Sequence, residues 1–401
     1  MSEWNEYTVA DVISTVIDYR GKTPKKLGGD WSESGYRALS AKNIKTGKIV
    51  QADSIRYVSE EMYRCWMKEE IQKGDILITS EAPFGQIYYW DSYEKIVLSQ
   101  RLFAVRVNKR FYSKYIYFYM TSSLFQAQLD SRATGTTVVG LRQSELLKCK
   151  IYAPDYQKQK RIADILWCIE QKINNNEMTN NNLLKQIKLL CKSWLVDFTP
   201  FGGDQPDSWS LKPFSDIAEF ISGYSYKGNE LMPSTQAMAT IKNFDRNGGF
   251  KLDGYKEIVP SSKLKDTHHV NLFDTLVAHT DLTQNAEVIG NAEPILSLSG
   301  YDDIVFSMDL VKVLPKGNIS KFLIASLLQD GRFKAHALGY VNGTTVLHLS
   351  KKALPEFKLL LPENLSVLNP LAEAVEDLYK LVSANINESA KLIELRDTLL
   401  P

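Results

Sequence analysis

No apolar run in the chain reaches the about 18 residues that a membrane-crossing helix needs. Its N-terminus, MSEWNEYTVADV, has neither the basic start nor the apolar stretch of a secretory leader, so a cytoplasmic location is expected. The four cysteines, Cys65, Cys149, Cys168 and Cys191, show no CxxC spacing and are expected to be free thiols in a reducing compartment. The five histidines (His268, His269, His279, His336 and His348) all lie in the second half without ligand spacing, so no metal site is expected. There is no GxxxxGK[ST] phosphate loop and no glycine-rich cofactor loop. Asn/Asp-Pro-Pro-aromatic, the motif of amino-methyltransferases, is also missing; Ala82-Pro83-Phe84 and Thr199-Pro200-Phe201 are the nearest fragments. A nuclease-like Glu-x-Lys at Glu356-Phe357-Lys358 has Lys148-Cys149-Lys150, without the acid, as its counterpart. These absences argue against a motor, a nuclease or a methyltransferase within this chain.

The chain does contain itself twice. TGTTVVGLRQSELLKCKIYAP (134–154) returns as NGTTVLHLSKKALPEFKLLLP (342–362), at an offset of 208 from Gly135/Gly343 to Pro154/Pro362. Upstream, Lys42-Asn43 returns as Lys242-Asn243, and Gly74-Asp75-Ile76-Leu77 as Phe273-Asp274-Thr275-Leu276. A duplicated unit implies a molecule with pseudo-two-fold symmetry. The two halves differ in charge: residues 1–198 hold 29 Lys+Arg against 22 Asp+Glu, and residues 199–401 hold 19 against 25. The first half therefore suits a polyanion and the second suits it poorly, so any grip on nucleic acid by this chain alone is weak.

Periodicity divides the 401 residues into four segments. Residues 1–154 form a mixed α/β globule, 155–198 a long helix, 199–362 a second globule and 363–401 a second long helix. The fold class expected is α+β, two pseudo-symmetric globules joined by long helices. GDILIT (74–79) and RLFAVRV (101–107) read as strands, and 114–133 and 319–338 each read as one helix. In the first long helix Ile162, Leu166, Ile169, Ile173, Asn176, Asn180, Leu183, Ile187, Leu190 and Trp194 follow a 4-3 spacing, which is an a/d seam. At offset 209 the second gives Leu371, Val375, Leu378, Val382, Asn385, Ser389, Leu392, Arg396 and Leu399. Both seams turn polar at the same place, Asn176/Asn180 and Asn385/Ser389, which predicts an antiparallel coiled coil whose register these residues help fix. A helix of about 40 residues rises about 60 Å, and a rigid spacer of that size suits an object with its own axial repeat, such as duplex DNA.

Candidate contact residues follow from the repeat. The Gly-Thr-Thr loops place Thr136 and Thr137, and Thr344 and Thr345, after a helix and before a strand. Glycine allows close backbone approach, and the hydroxyls can donate to phosphates or base edges. Lys42 and Lys242 suit phosphate; Asn43 and Asn243 carry the amide that pairs with adenine. Arg37 and Arg142 complete the first set, and Ser350 and Lys351 the second. The loops SEAPFGQ (80–86) and AHTDLTQ (278–284) differ at equivalent places, as two recognition specificities on one scaffold would require.

The chain resembles the specificity subunit of type I restriction-modification systems over nearly its whole length. Lys192-Ser193-Trp194-Leu195-Val196-Asp197-Phe198 is similar to that family's Lys-Ser-Trp-Phe-Val-Asp-Phe; GDILIT, the TGTTV and NGTTV loops, APDYQKQKRIADIL (153–166) and LRDTLLP (395–401) add to the match. The resemblance implies two target-recognition domains, each reading one half of an asymmetric, bipartite site in double-stranded DNA. It implies that the helices set the gap and dock two modification subunits, which methylate adenine N6. S-adenosylmethionine is then expected on those partners and no cofactor on this chain. Motor/nuclease subunits join where the system restricts. Leu195 departs from the usual aromatic, a mild change at a packing position. Relatives usually continue beyond the position of Pro401; if that tail closes the circle of repeats against the N-terminus, one docking surface is expected to be weaker. The alternative reading is a tandem-repeat coiled-coil adaptor for a non-DNA partner, which salt-dependent DNA binding would exclude.

Overall fold

The computed structural model describes residues 4–135, 139–246, 248–283, 285–329 and 331–400. The chain divides into two compact units: Met1–Lys172 with Leu392–Pro401, and Ile173–Lys391. The boundaries fall inside the long helices, so each globule carries part of both helices with it.

In the first unit a four-stranded antiparallel sheet runs in the order Ile13–Asp18, Leu102–Val107, Ile76–Thr79, Ile87–Tyr89. A three-stranded sheet pairs Arg56–Val58 with Tyr36–Leu39, which pairs in parallel with Ile96–Leu98. Asn5–Thr8 pairs with Lys150–Ala153. The second unit repeats these three sheets in the same order. Its four-stranded sheet is Ala218–Ser222, Leu310–Pro315, Thr275–Ala278, Ala292–Pro294. Its three-stranded sheet is Lys256–Glu257, Gln236–Ala239 and the parallel Asp303–Phe306. Trp209–Pro213 pairs with Lys358–Pro362. The inner strands Ile76–Thr79 and Thr275–Ala278 are buried on both faces, which explains why GDILIT reads as an unbroken apolar run rather than an alternating one.

The Asp of that run has a local task. Asp75 Oδ2 accepts from the Gln72 amide at 2.8 Å, and Asp274 Oδ2 accepts from the Asn271 amide at 2.9 Å. Each closes a three-residue turn before its strand. The helices expected over 114–133 and 319–338 are each two. Ser113–Thr121 and Ser123–Arg132 break at Ser122, whose extended backbone lets its hydroxyl cap Phe125. Lys321–Leu327 and Arg332–Leu338 are separated at Gly331, φ +86°. The apolar stripe continues across both breaks, so periodicity alone runs the pieces together.

The long helices are Tyr156–Leu195 and Asn369–Leu399. Within the second unit, Asn176 Nδ2 donates to Ser389 Oγ at 3.1 Å and to Glu388 at 2.8 Å, and Asn385 Nδ2 donates to Asn180 Oδ1 at 2.8 Å. Rising numbers on one helix meet falling numbers on the other, so the pairing is antiparallel. With an offset of 209, Ser389 is the repeat partner of Asn180 and Asn385 that of Asn176. The two bonds are therefore images of each other under the pseudo-two-fold. Leu166, Ile169, Ile173, Asn176 and Ile187 are buried, as are Leu371, Val375 and Val382. Ile162, Asn180, Leu183, Leu190, Trp194, Leu378, Asn385, Ser389, Leu392 and Arg396 are half-buried. Leu399 corrects the expected seam: it is exposed, and Leu400 packs on the first unit's core instead. The helix turns every 3.6 residues, so a strict 3.5 seam drifts by about 20° per heptad. Cys191, Leu195 and Tyr379 are buried one position beyond the seam for the same reason.

Candidate nucleic-acid interface

The glycine-threonine segments dock in the same way in both units. In the first, Thr134 and Gly140 exchange backbone hydrogen bonds of 3.0 and 2.9 Å, and Leu141 N donates to Ser80 O at 2.9 Å. Thr136 and Thr137 lie outside the described residues. In the second, Val341–Asn342 pairs with Leu347–Leu349, which pairs with Thr280–Asp281, and Leu349 N donates to His279 O at 2.8 Å. Gly343 has φ +108°, and a β-carbon there would stand 2.2 Å from Val346 O, so the tip accepts glycine only. Thr344 and Thr345 are exposed beside it. The two candidate loops of each unit, post-strand and glycine-threonine, thus form one surface.

In the first unit this surface edges a cleft of about 1080 Å³, lined by Asp18, Arg20, Lys26, Glu81, Gln100, Arg101 and Arg142 among others. A smaller depression of about 170 Å³ shares Gln100 and Arg101 and adds Trp31, Lys42 and Arg56. Six cations face two carboxylates, and both carboxylates are paired: Asp18 with Arg20 at 2.5 Å, Glu81 with Arg101 at 2.9 Å. Arg56 stacks over the Trp31 ring at 3.9 Å. The surplus of positive charge beside an aromatic suits a phosphate-bearing polymer. Lys42 and Arg142 are exposed and, among the described residues, in no ion pair, so they stand where a phosphate could take them.

Two expectations fail here. Asn43 and Asn243 are 1% and 0% exposed. Asn43 Oδ1 accepts from Ser40 N and Oγ at 3.0 and 2.8 Å, and its Nδ2 donates to Gln51 O and Ser54 Oγ at 3.3 and 3.0 Å. Asn243 accepts from Thr240 N at 2.8 Å and donates to Lys251 O at 2.7 Å. Both amides close a turn and reach no base; the repeated Lys-Asn pair is a folding element with an exposed lysine. Arg37 is engaged as well: its guanidinium grips Glu94 at 2.6 and 2.5 Å, away from the cleft. Ser350 Oγ accepts from Lys352 N at 3.3 Å, whereas Lys242 and Lys351 are exposed.

Burial, with Lys351 nearby, pushes His279 down to about 4, so its imidazole is neutral at physiological pH. Asp281 is buried and gathers the loop after it, accepting from Thr283 N and Oγ1, Val288 N and Ile289 N. Those bonds hold its carboxyl below the usual range against the burial that would raise it. Arg20, Lys26, Trp31 and Gln100 escaped the sequence reading because they come from connections that share no motif; Arg56 lies in a short strand and Arg101 at the start of RLFAVRV, where nothing in the sequence sets them apart as cleft residues. Among the described residues no group of three or more His, Cys, Asp or Glu could hold a metal ion, and no helix is long and apolar enough to cross a membrane.

The signature at the end of the first long helix is an aromatic stop. Phe198 turns left-handed at φ +49°, Lys192 pairs with Asp197 at 2.7 Å, and Trp194 and Trp209 meet Phe201 edge-on at 5.7 and 5.2 Å.

Residues 1–188 match the family model described as type I restriction modification DNA specificity domain. The type I restriction enzyme MjaIX specificity subunit of Methanocaldococcus jannaschii is 23% identical, over 94% of this chain and 84% of that protein. The HindI specificity subunit of Haemophilus influenzae is 22% identical, over 100% of this chain and 98% of that protein. A crystal structure of the type I restriction-modification S subunit from M. genitalium shares the fold with a TM-score of 0.62 at 16% identity, covering 100% of this chain and 95% of that one.

Proposed function

We propose that the chain is a specificity subunit of a type I restriction-modification system, which reads an asymmetric, bipartite site in double-stranded DNA without catalysing a reaction itself; the specificity-domain match over residues 1–188 and the two specificity subunits aligned along nearly the whole chain support this reading. Each unit reads one half-site, and the antiparallel helices set the gap. Two modification subunits dock on the helices and methylate adenine N6 with S-adenosylmethionine. Motor/nuclease subunits join the complex where the system restricts.

The observation that carries this reading is one topology built twice, with the same two loops brought together each time and different residues on them. Two identical readers would suit a symmetric site; two scaffolds with different surfaces suit unlike half-sites. Phosphate contacts such as Lys42 and Arg142 would position the duplex, and base-edge contacts would specify it. The basic cleft belongs to the first unit, while the second half of the chain is acidic overall. Partner subunits that close around the duplex would supply the missing positive charge.

The test is to co-express this chain with its modification subunit and map N6-methyladenine across the host genome. A split motif with a fixed gap, lost when this chain is omitted, is the expected result. A stable complex that yields no motif would overturn the reading.

A further inference from the structure

One turn occupies the same place in both units and carries opposite charge. It leads from the three-stranded sheet into the four-stranded one, at Gln100-Arg101 in the first unit and Met308-Asp309 in the second. Ser80 N donates to Arg101 O at 2.9 Å, and His279 N donates to Asp309 O at 2.8 Å. The next residue enters the sheet in the same register: Leu102 opposite Thr79, Leu310 opposite Ala278. Ser80 and His279 also receive the glycine-threonine segments described above, so the turn lies against that surface in both units.

The side chains then differ in kind. Arg101 is half-exposed, lines both depressions of the first unit, and is held by Glu81 at 2.9 Å. Asp309 accepts from Thr280 Oγ1 at 3.1 Å and, more weakly, from Ser307 Oγ at 3.5 Å. Glu81 and Thr280 follow Ser80 and His279, so they are equivalent too. Where the first unit has a cation steadied by an acid, the second has, at the equivalent position, an acid steadied by a hydroxyl. Arg101 also sits at φ +62°, a conformation that Asn or Gly adopts more cheaply. The backbone gives no reason for arginine there; the guanidinium does.

We propose that residues 101 and 309 are base-reading positions, one in each unit. The proposal rests on the DNA-specificity reading given above. A guanidinium presents a fork of donors that matches the O6 and N7 acceptors of guanine in the major groove. A carboxylate near DNA is repelled by phosphates and is favoured only where it meets a donor. The major-groove donors are the exocyclic amines of cytosine and adenine. Arg101 therefore takes a guanine in one half-site, and Asp309 takes an amine-bearing base in the other. Glu81 and Thr280 are the positioning residues.

The experiment uses the full chain in complex with its modification subunit and maps N6-methyladenine for wild type, Arg101→Asn and Asp309→Ala. Each variant is expected to accept extra bases at one position of one half-site, a different half for each, with the other half unchanged. On oligonucleotide duplexes, discrimination at that position should fall about 5- to 150-fold, the span of one good base contact. Arg101→Asn should leave the melting temperature equal or higher, since Asn suits the turn, which separates lost reading from lost folding. If Asp309→Ala melts early, Asp309→Asn keeps the Thr280 acceptor and should alter the same position. Unchanged motifs in the variants, or equal weakening on all sequences, would overturn the proposal while leaving the specificity reading intact. A wild-type complex without a split motif would remove the reading on which it rests.

Discussion

Asn43 satisfies four hydrogen-bonding partners while 1% exposed, so truncation strands buried groups instead of freeing a surface. Asn43→Ala should lower the unfolding free energy by about 2–3 kcal/mol, because a buried group left without its partner costs about 1–3 kcal/mol. Denaturant titration measures this, and the methylation motif of the folded complex should not change; a relaxed half-site would restore Asn43 as a base reader. The Lys-Asn repeat was legible in the sequence, but its meaning was not. Which way an amide turns depends on the loop that returns over it, here Gln51 to Ser54. Arg101 was illegible for a related reason. Its equivalence to Asp309 spans an offset of 208, whereas Ser80 and His279 differ by 199, so only the backbone bonds align them. Glu293 shows a third kind of hidden residue. It is 7% exposed, accepts from Gly249 N at 2.6 Å, and burial pushes it up to about 7, although Lys188 pulls the other way. A carboxyl raised on folding from 4.5 destabilises the fold as pH climbs from about 4.5 to about 7 and stays costly above that. The shift is worth about 3 kcal/mol at pH 8. Glu293→Gln keeps the acceptor for Gly249, so it should stabilise the protein by up to that amount at pH 8 and by almost nothing near pH 4.5. Equal effects at the two pH values in denaturation experiments would contradict the burial argument.

The long helices were the most legible elements, because a 4-3 spacing sustained over ten positions, eight of them apolar, has few other readings. Their polar steps were legible too, and the hydrogen bonds of Asn176 with Ser389 and Asn180 with Asn385 give those steps a partner. What the seam concealed is Arg396, a charge at a position where the first helix has Ile187. In the first unit Arg396 meets Glu170 at 2.9 Å, with side-chain exposures of 26% and 10%. The repeat counterpart of Glu170 is Tyr379, which is buried in the second unit's core with Ile187. The same seam position is thus ionic in one unit and apolar in the other. Removing one member of a nearly buried pair costs more than the pair contributes, since the survivor stays desolvated. Arg396 retains Asp397 at 2.8 Å when Glu170 is lost, whereas Glu170, among the described residues, has its ion pair with Arg396 alone. Arg396→Met should therefore cost about 2–4 kcal/mol, and Glu170→Gln clearly less. A double-mutant cycle by denaturation checks this, and equal single effects would show that Glu170 is solvated. The breaks at Ser122 and Gly331 mark the other limit of periodicity, because a cap interrupts a helix without disturbing its apolar stripe.

For the whole molecule, the duplication gave the two-unit organisation, and pairing of the strands confirmed it through one topology repeated in both. Composition was less informative than placement, because the chain's formal charge of +1 conceals two adjoining depressions that together hold six cations and two carboxylates. If the helices act as the ruler between half-sites, their length should control the gap and nothing else. A heptad is the natural increment. It advances each helix by about 10 Å, at about 1.5 Å per residue, and returns the seam to the same face. The insertion must go into both helices at matched sites, since an antiparallel pair lengthened on one side alone loses its register. Between Asn176 and Asn180, with the counterpart between Asn385 and Ser389, the added turns would separate the two hydrogen bonds at the margin of the second unit's core, where Ile386 packs and Ser297 Oγ donates to Asn387 Oδ1 at 2.8 Å, so the insert keeps Ile386 and Asn387 on the Asn385 side. Duplex DNA advances about 34 Å in about ten base pairs, so about 10 Å corresponds to about three. The lengthened chain, co-expressed with its modification subunit, should methylate a motif with both halves unchanged and a gap longer by about three base pairs. An unchanged gap would show that something other than these helices measures the distance. A loss of all methylation with the complex intact would show that the partners themselves require the original length.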